Sequence, residues 1–191
     1  EANFQPGASG PRLCQTDGRA TAPPTRKECS MAKSDLPILE QRRIEANLVK
    51  PIYEEMAASL GEEKAQEIIG SAIKKHAIAQ GQAYAEADRA AGREPSLSGF
   101  YALLPQWKAG GALEMDVLTE NEAHVDFNVT RCRYAEMYRE MGLGHIGHLL
   151  SCNRDGTFCE GYDPTIKFER SQTIMGGASH CDFRYSKRKD G

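Results

Sequence analysis

The sequence predicts an α+β fold: an N-terminal helical hairpin packed on an antiparallel sheet of about four strands, arranged as two hairpins separated by a helix. Three observations predict it. Apolar residues recur at helical spacing from Ile38 to about Ala91, the pattern changes to alternation after Ala112, and a second alternating pair follows an interval rich in Gly and Asp.

Taken in order, residues 1 to 30 hold Pro6, Pro11, Pro23 and Pro24 among Gly, Ser, Thr and charged residues, with no apolar period. Such a stretch reads as a disordered leader, tag or upstream segment, and residues 31–191 as one domain. Ser34 or Asp35 can cap a first helix with Pro37 in its first turn, and Ile38, Ile44, Leu48, Ile52, Met56 and Leu60 form its stripe. Pro51 should kink it. After Gly61 an Ala-rich helix runs from about Glu62 to Ala91, with Ala65, Ile68, Ile69, Ala72, Ile73, His76, Ala79, Ala83 and Ala87 as its stripe. His76 reads as a packing histidine. Residues 92 to 111 place Phe100, Tyr101 and Trp107 among Gly and Pro, which suggests a short helix with loops.

The segments ALEMDVL and AHVDFNVT form the first hairpin, turning near Glu120 and Asn121. Ala123, Val125, Phe127 and Val129 face one way, and His124, Asp126, Asn128 and Thr130 the other. Thr130 can cap a helix from about Arg131 to Met141, ending at Gly142 or Gly144. GHIGHLLSC and the turn-rich NRDGTFCEGYDP follow, and TIKFERSQTIM with ASHCDFRYSKR around Gly176 and Gly177 makes the second hairpin.

The chain has 191 residues and a net charge of −3, so no basic field draws it to nucleic acid or to an anionic membrane. No apolar run reaches the roughly 18 residues of a membrane span. The reading is a cytoplasmic protein with reduced thiols, and it admits a homo-oligomer. Six cysteines stand at positions 14, 29, 132, 152, 159 and 181.

Cys132 lies between Arg131 and Arg133 at the start of the predicted helix, where amide N–H groups, the helix dipole and flanking cations all favour a thiolate. It is nucleophile material or a buried packing residue. Strand alternation puts Ser179, Cys181, Phe183 and Tyr185 on one face and His180, Asp182, Arg184 and Ser186 on the other, so His180 cannot serve Cys181 as a base. His145 and His148 with Cys152 and Cys159 offer metal ligands at a loose spacing. Asp155 stands in an Asp-Gly turn. Arg170 lies within a strand, where an inward guanidinium needs an anion.

Those C-terminal residues carry a resemblance. Cys132 with Ala135, Glu136 and Tyr138, the Gly142 turn, Cys152 and Asp155, Arg170, Gly176 or Gly177, and the run Cys181-Asp182-Phe183-Arg184 are similar to the L-2-amino-thiazoline-4-carboxylic acid hydrolase family, over roughly residues 31 to 187. The resemblance implies a hydrolase that opens a small carboxylate-bearing cyclic amidine to an N-carbamoyl amino acid, and the expectation is a cofactor-independent enzyme with no metal site assigned. That chemistry asks for a nucleophile or an activated water, an acid for the leaving sulfur and a cation for the carboxylate, and the expected assignment is Cys132, Cys181, Asp182 and Asp155 as catalytic and Arg170, Arg184 and His180 as substrate-binding. The competing reading is a non-catalytic module that holds a small acid or a metal in the same Cys, Asp and Arg cavity.

Overall fold

A computed structural model of the chain describes residues 36–187. The leader reading of residues 1 to 30, the start at Met31 and the Ser34 or Asp35 cap fall outside the described residues. Helix α1 (Ile38–Leu60) and helix α2 (Glu62–Ala90) are joined by Gly61 alone, at φ 85° and ψ 153°, backbone that Gly adopts without a Cβ clash. The chain reverses there. Gln66 reaches the Tyr53 hydroxyl at 3.4 Å, and Glu45 and His76, about equally far from Gly61, both meet Arg154. Pro37 takes the N-cap position, and Pro51 stands inside a helix that continues to Leu60.

Both predicted stripes are corrected in part: Ala65 and Ile69 are buried and Ile38, Met56 and Ile73 pack against the core as expected, but other members do not. In α1 the buried residues are Leu39, Arg42, Ala46 and Tyr53, while Ile44, Leu48, Ile52 and Leu60 are exposed. In α2 the buried line is Ala65, Ile69, Gly70, Ala77, Gly81 and Ala85, and Ala72, His76, Ala79, Ala83 and Ala87 face outward. Close approach decides it. A Cβ on Gly81 would collide with the Phe158 carbonyl, and one on Gly161 with the Ile78 carbonyl, so α2 meets helix α6 (Asn153–Tyr162) backbone to backbone.

Two short helices, α3 (Leu97–Tyr101) and α4 (Leu104–Lys108), follow, with Ser96 capping α3 through a 3.1 Å bond from the Gly99 amide. Strands β1 (Leu113–Glu120) and β2 (His124–Cys132) form the first hairpin. Helix α5 (Arg133–Glu140) begins two residues later than expected, leaving Cys132 as the last strand residue. A π-helical turn (His148–Cys152) then runs straight into α6. The turn-rich reading of NRDGTFCEGYDP is therefore corrected to helix. Gly156 is there because α6 packs on Phe168, whose ring would lie 2.8 Å from a Cβ at that position.

Strand β3 (Ile166–Glu169) is shorter than the alternating sequence suggests, and Arg170 lies just beyond it. Strand β4 (Cys181–Lys187) inserts between β2 and β3, giving an antiparallel sheet in the order β1-β2-β4-β3. Val125, Phe127 and Val129 of β2 stand opposite Tyr185, Phe183 and Cys181 of β4, so one face of the two central strands is continuous and apolar. That face packs on Leu97, Phe100, Phe158 and Tyr162. A second apolar group joins α1, α2, α5 and the π turn. No helix among the described residues is long and apolar enough to cross a membrane.

Candidate active site

Between the two apolar groups lies a cavity of about 100 Å³, room for one small ring and well below the size that holds a drug-like molecule. Strand alternation supplies its floor. Phe127, Val129 and Cys132 reach it from β2, and Cys181, Phe183 and Tyr185 from β4. Phe127 and Phe183 stack at 4.9 Å. Phe100, Leu104, Trp107 and Phe158 close the apolar wall, and Arg42, Arg154, Asp155 and Arg170 bring the charge.

Cys132 enters from the junction of β2 and α5. Burial pushes its thiol up to about 11, and the amides of Ala135 and Tyr134 at the start of α5 offset only part of that. The expected help from the flanking arginines is corrected. Arg131 pairs with Glu136 at 2.8 Å and Glu114 at 3.2 Å, and Arg133 donates to the Gly110 carbonyl at 2.8 Å. Cys181 is buried at the start of β4, its sulfur accepting from the Ile174 amide at 3.2 Å, and burial raises it too. Cys152 ends the π turn and is pushed up to about 12, first by burial and then by the Asp155 charge. All three thiols facing the cavity are therefore protonated near neutral pH.

Asp155 stands in the first turn of α6 and accepts a hydrogen bond from Arg170 Nη1. Its side chain keeps 33% of its surface open, and it is a lining residue, so the open part faces the cavity. Enclosure of the rest raises the carboxyl above its ordinary value, and the charges of Arg170 and Arg154 only partly oppose this. Arg170 also donates to the Cys152 carbonyl at 3.1 Å and lies over the rings of Phe168 and Phe183, at 5.3 and 5.1 Å. Burial works against its charge, and the Asp155 carboxylate more than offsets it.

Two further arginines escaped the sequence reading. Arg42 of α1 is 5% exposed and donates to Glu45 Oε1 at 2.6 Å. Arg154 of α6 donates to the other oxygen of Glu45 at 3.2 Å and to the Leu150 carbonyl at 2.9 Å, and lies 3.1 Å from His76 Nδ1. An Arg inside an amphipathic helix ordinarily marks the solvent face, so the sequence carries no signal for Arg42. For Arg154 the only hint is its place beside Asp155.

The cavity thus gathers Cys132, Cys181, Asp155 and Arg170 and leaves out the other three predicted residues. Asp182 and Arg184 stand on the opposite face of β4, across from Asn128 and Asp126. Asp182 accepts from the Ser171 hydroxyl at 2.6 Å and the Gln172 amide at 2.9 Å, fixing the chain after Arg170. Arg184 donates to the Phe127 carbonyl and to Asn128 Oδ1, both at 3.0 Å. His180 precedes the strand and lies 3.0 Å from Gln172 Nε2. Among the described residues no three His, Cys, Asp or Glu converge as metal ligands, and His145 instead packs on the Tyr53 ring at 5.6 Å.

The family model described as L-2-amino-thiazoline-4-carboxylic acid hydrolase matches residues 41–185. The chain belongs to this family. Within the L-2-amino-thiazoline-4-carboxylic acid hydrolase match fall all four charged cavity residues and the three cavity thiols; of the lining residues only Ile38 lies outside it. Among solved structures, the phenol-responsive sensory domain of the transcription activator PoxR, with phenol, is similar at 14% identity and a TM-score of 0.47, over 74% of this chain and 73% of that one. No curated protein matches the chain.

Proposed function

We propose that the cavity binds a small planar cyclic amidine bearing a carboxylate and hydrolyses it, with Asp155 as the proton carrier. The observation that supports this most is Asp155 itself, a cavity-facing carboxyl with raised proton affinity, held in place by Arg170. A carboxyl raised above its ordinary value holds a proton more readily than a free Asp, which suits general acid–base catalysis. On 2-amino-2-thiazoline-4-carboxylate the step balances as follows. Asp155 takes one proton from a water whose oxygen bonds to the amidine carbon, the carbon–sulfur bond breaks, and sulfur leaves with that proton as a thiol. The remaining hydroxyl proton passes to the ring nitrogen, leaving N-carbamoyl-cysteine.

The raised thiols favour this route over direct sulfur attack, because a thiol held near 11 presents little thiolate at neutral pH. The same apolar lining and protonated thiols also suit the second reading, a cavity that binds a small acid without converting it. Incubating purified protein with the aminothiazoline acid and following the carbamoyl product by mass spectrometry separates the two. Stoichiometric, catalyst-dependent product is expected; saturable binding without product would leave the binding module.

A further inference from the structure

We propose that Arg42 and Arg154 together seat the ligand's carboxylate, which orients the ring with its reacting carbon toward Asp155. Both residues line the cavity, and both side chains are largely withdrawn from solvent, Arg42 at 5% exposed and the Arg154 side chain at 11%. They share one counter-charge. Glu45 places Oε1 on Arg42 and Oε2 on Arg154, and its own side chain is 41% exposed, where water weakens its hold. The charge of Asp155 also reaches Arg154, but that carboxylate is paired with Arg170, and the remaining contacts of Arg154 bring no negative charge. His76 is held below its ordinary value, first by burial and then by the Arg154 charge, so it stays neutral, and the Leu150 carbonyl is a dipole.

Asp155 and Arg170 answer one another. Among the described residues Arg42, Arg154 and Arg170 thus face only Asp155 and Glu45, and one positive charge is left unmatched in a mostly apolar enclosure. Buried charge of that kind calls for a partner. A monoanion satisfies it, and a guanidinium pair offers a carboxylate several N–H donors in planar forks. Among the described residues Arg42 donates only to Glu45. Arg170 has a counter-charge of its own in Asp155, and its face lies on Phe168 and Phe183. Arg184 points from the wrong face of the sheet.

The inference rests on the proposed function for the identity of the ring, and its test reads binding rather than turnover. Calorimetric titration compares 2-amino-2-thiazoline-4-carboxylate with 2-amino-2-thiazoline, which lacks the carboxylate, on the wild type and on Arg42→Gln, Arg154→Gln and Arg170→Gln. Loss of a charged hydrogen-bond partner predicts that Arg42→Gln and Arg154→Gln each weaken the acid about tenfold to a hundredfold. The parent ring should change by less than about twofold, a charge-selective effect that a merely structural change does not give. Arg42→Lys, which keeps the charge, should fall between wild type and Gln, with circular dichroism checking that each variant stays folded. Equal loss of both ligands, no loss of either, a carboxylate-selective loss confined to Arg170→Gln, or no binding of the acid to the wild type would each overturn the assignment. Selective loss in a protein that makes no product would uphold the carboxylate seat and sink the hydrolase reading alone.

Discussion

At the scale of single residues, proton affinity separates the groups that share the cavity. Among the described residues Asp155 is the only carboxylate that lines the cavity, and enclosure lifts it above the ordinary Asp value. If it takes a proton from water in catalysis, it must be ionised at the start of the cycle. The acid limb of kcat/KM should therefore lie above pH 3.8, the value of an unshifted Asp, with activity rising as pH rises through it. Asp155→Asn should lower kcat by about a hundredfold to ten-thousandfold while circular dichroism stays native. Cys132→Ser and Cys181→Ser should keep activity within about tenfold, and iodoacetamide should label Cys132 and Cys181 of the wild type, read by peptide mass mapping, slowly at pH 7 and faster at each step toward pH 10. A larger loss in Cys132→Ser with an intact fold would make that thiol the nucleophile. The pairing of Asp155 with Arg170 was not legible because Asp-Gly is common turn chemistry; here the glycine serves the approach of Phe168.

At the scale of elements, strands were easier to read than helices. The two-residue period admits only two phases, so one buried residue in β4 settles which side chains share a face, and Cys181 and His180 separate as alternation requires. Helix α1 has aliphatic residues on more than one face, and their size misled. The face that packs is the one where Ala46 allows close approach and Tyr53 and Leu39 fill the space, leaving Ile44, Leu48 and Ile52 outside. The consequence is measurable by urea unfolding. Ala46→Leu should cost about 1–3 kcal/mol from overpacking, whereas Leu48→Ala should change stability by no more than about 0.5 kcal/mol. The helix after the π turn went unseen for the same reason as Asp155, because Gly156 and Gly161 read as turn residues until the neighbours that need them are known.

For the molecule as a whole, the class and order of elements were legible, and so was the half of the cavity built on β2 and β4. The charged half was not, since it depends on how α1 and α6 come together, a tertiary outcome with no local signal. The face of the sheet away from the cavity has its own part in stability. Burial works to raise Asp182, but the hydrogen bonds from Ser171 and Gln172 prevail and hold it at about 2. A carboxyl lowered in the folded state stabilises fully above its unfolded value and loses that contribution as pH falls through the folded one. Stability should therefore decline between about pH 4 and pH 2 in the wild type. Asp182→Asn should flatten that decline and cost about 1 kcal/mol at neutral pH, read by thermal melting across the range.

The strand order β1-β2-β4-β3 carries a further consequence, one of timing. Strand β4 joins β2 to β3, yet both precede it in the sequence, so a chain emerging residue by residue holds two strand edges with no neighbour between them. His124 and Ser186, partners in the register, are far apart along the chain, and such distant closure is slow. The nascent protein should accordingly stay open and prone to association until Cys181–Lys187 has cleared the ribosome, after which sheet and cavity floor form in one step.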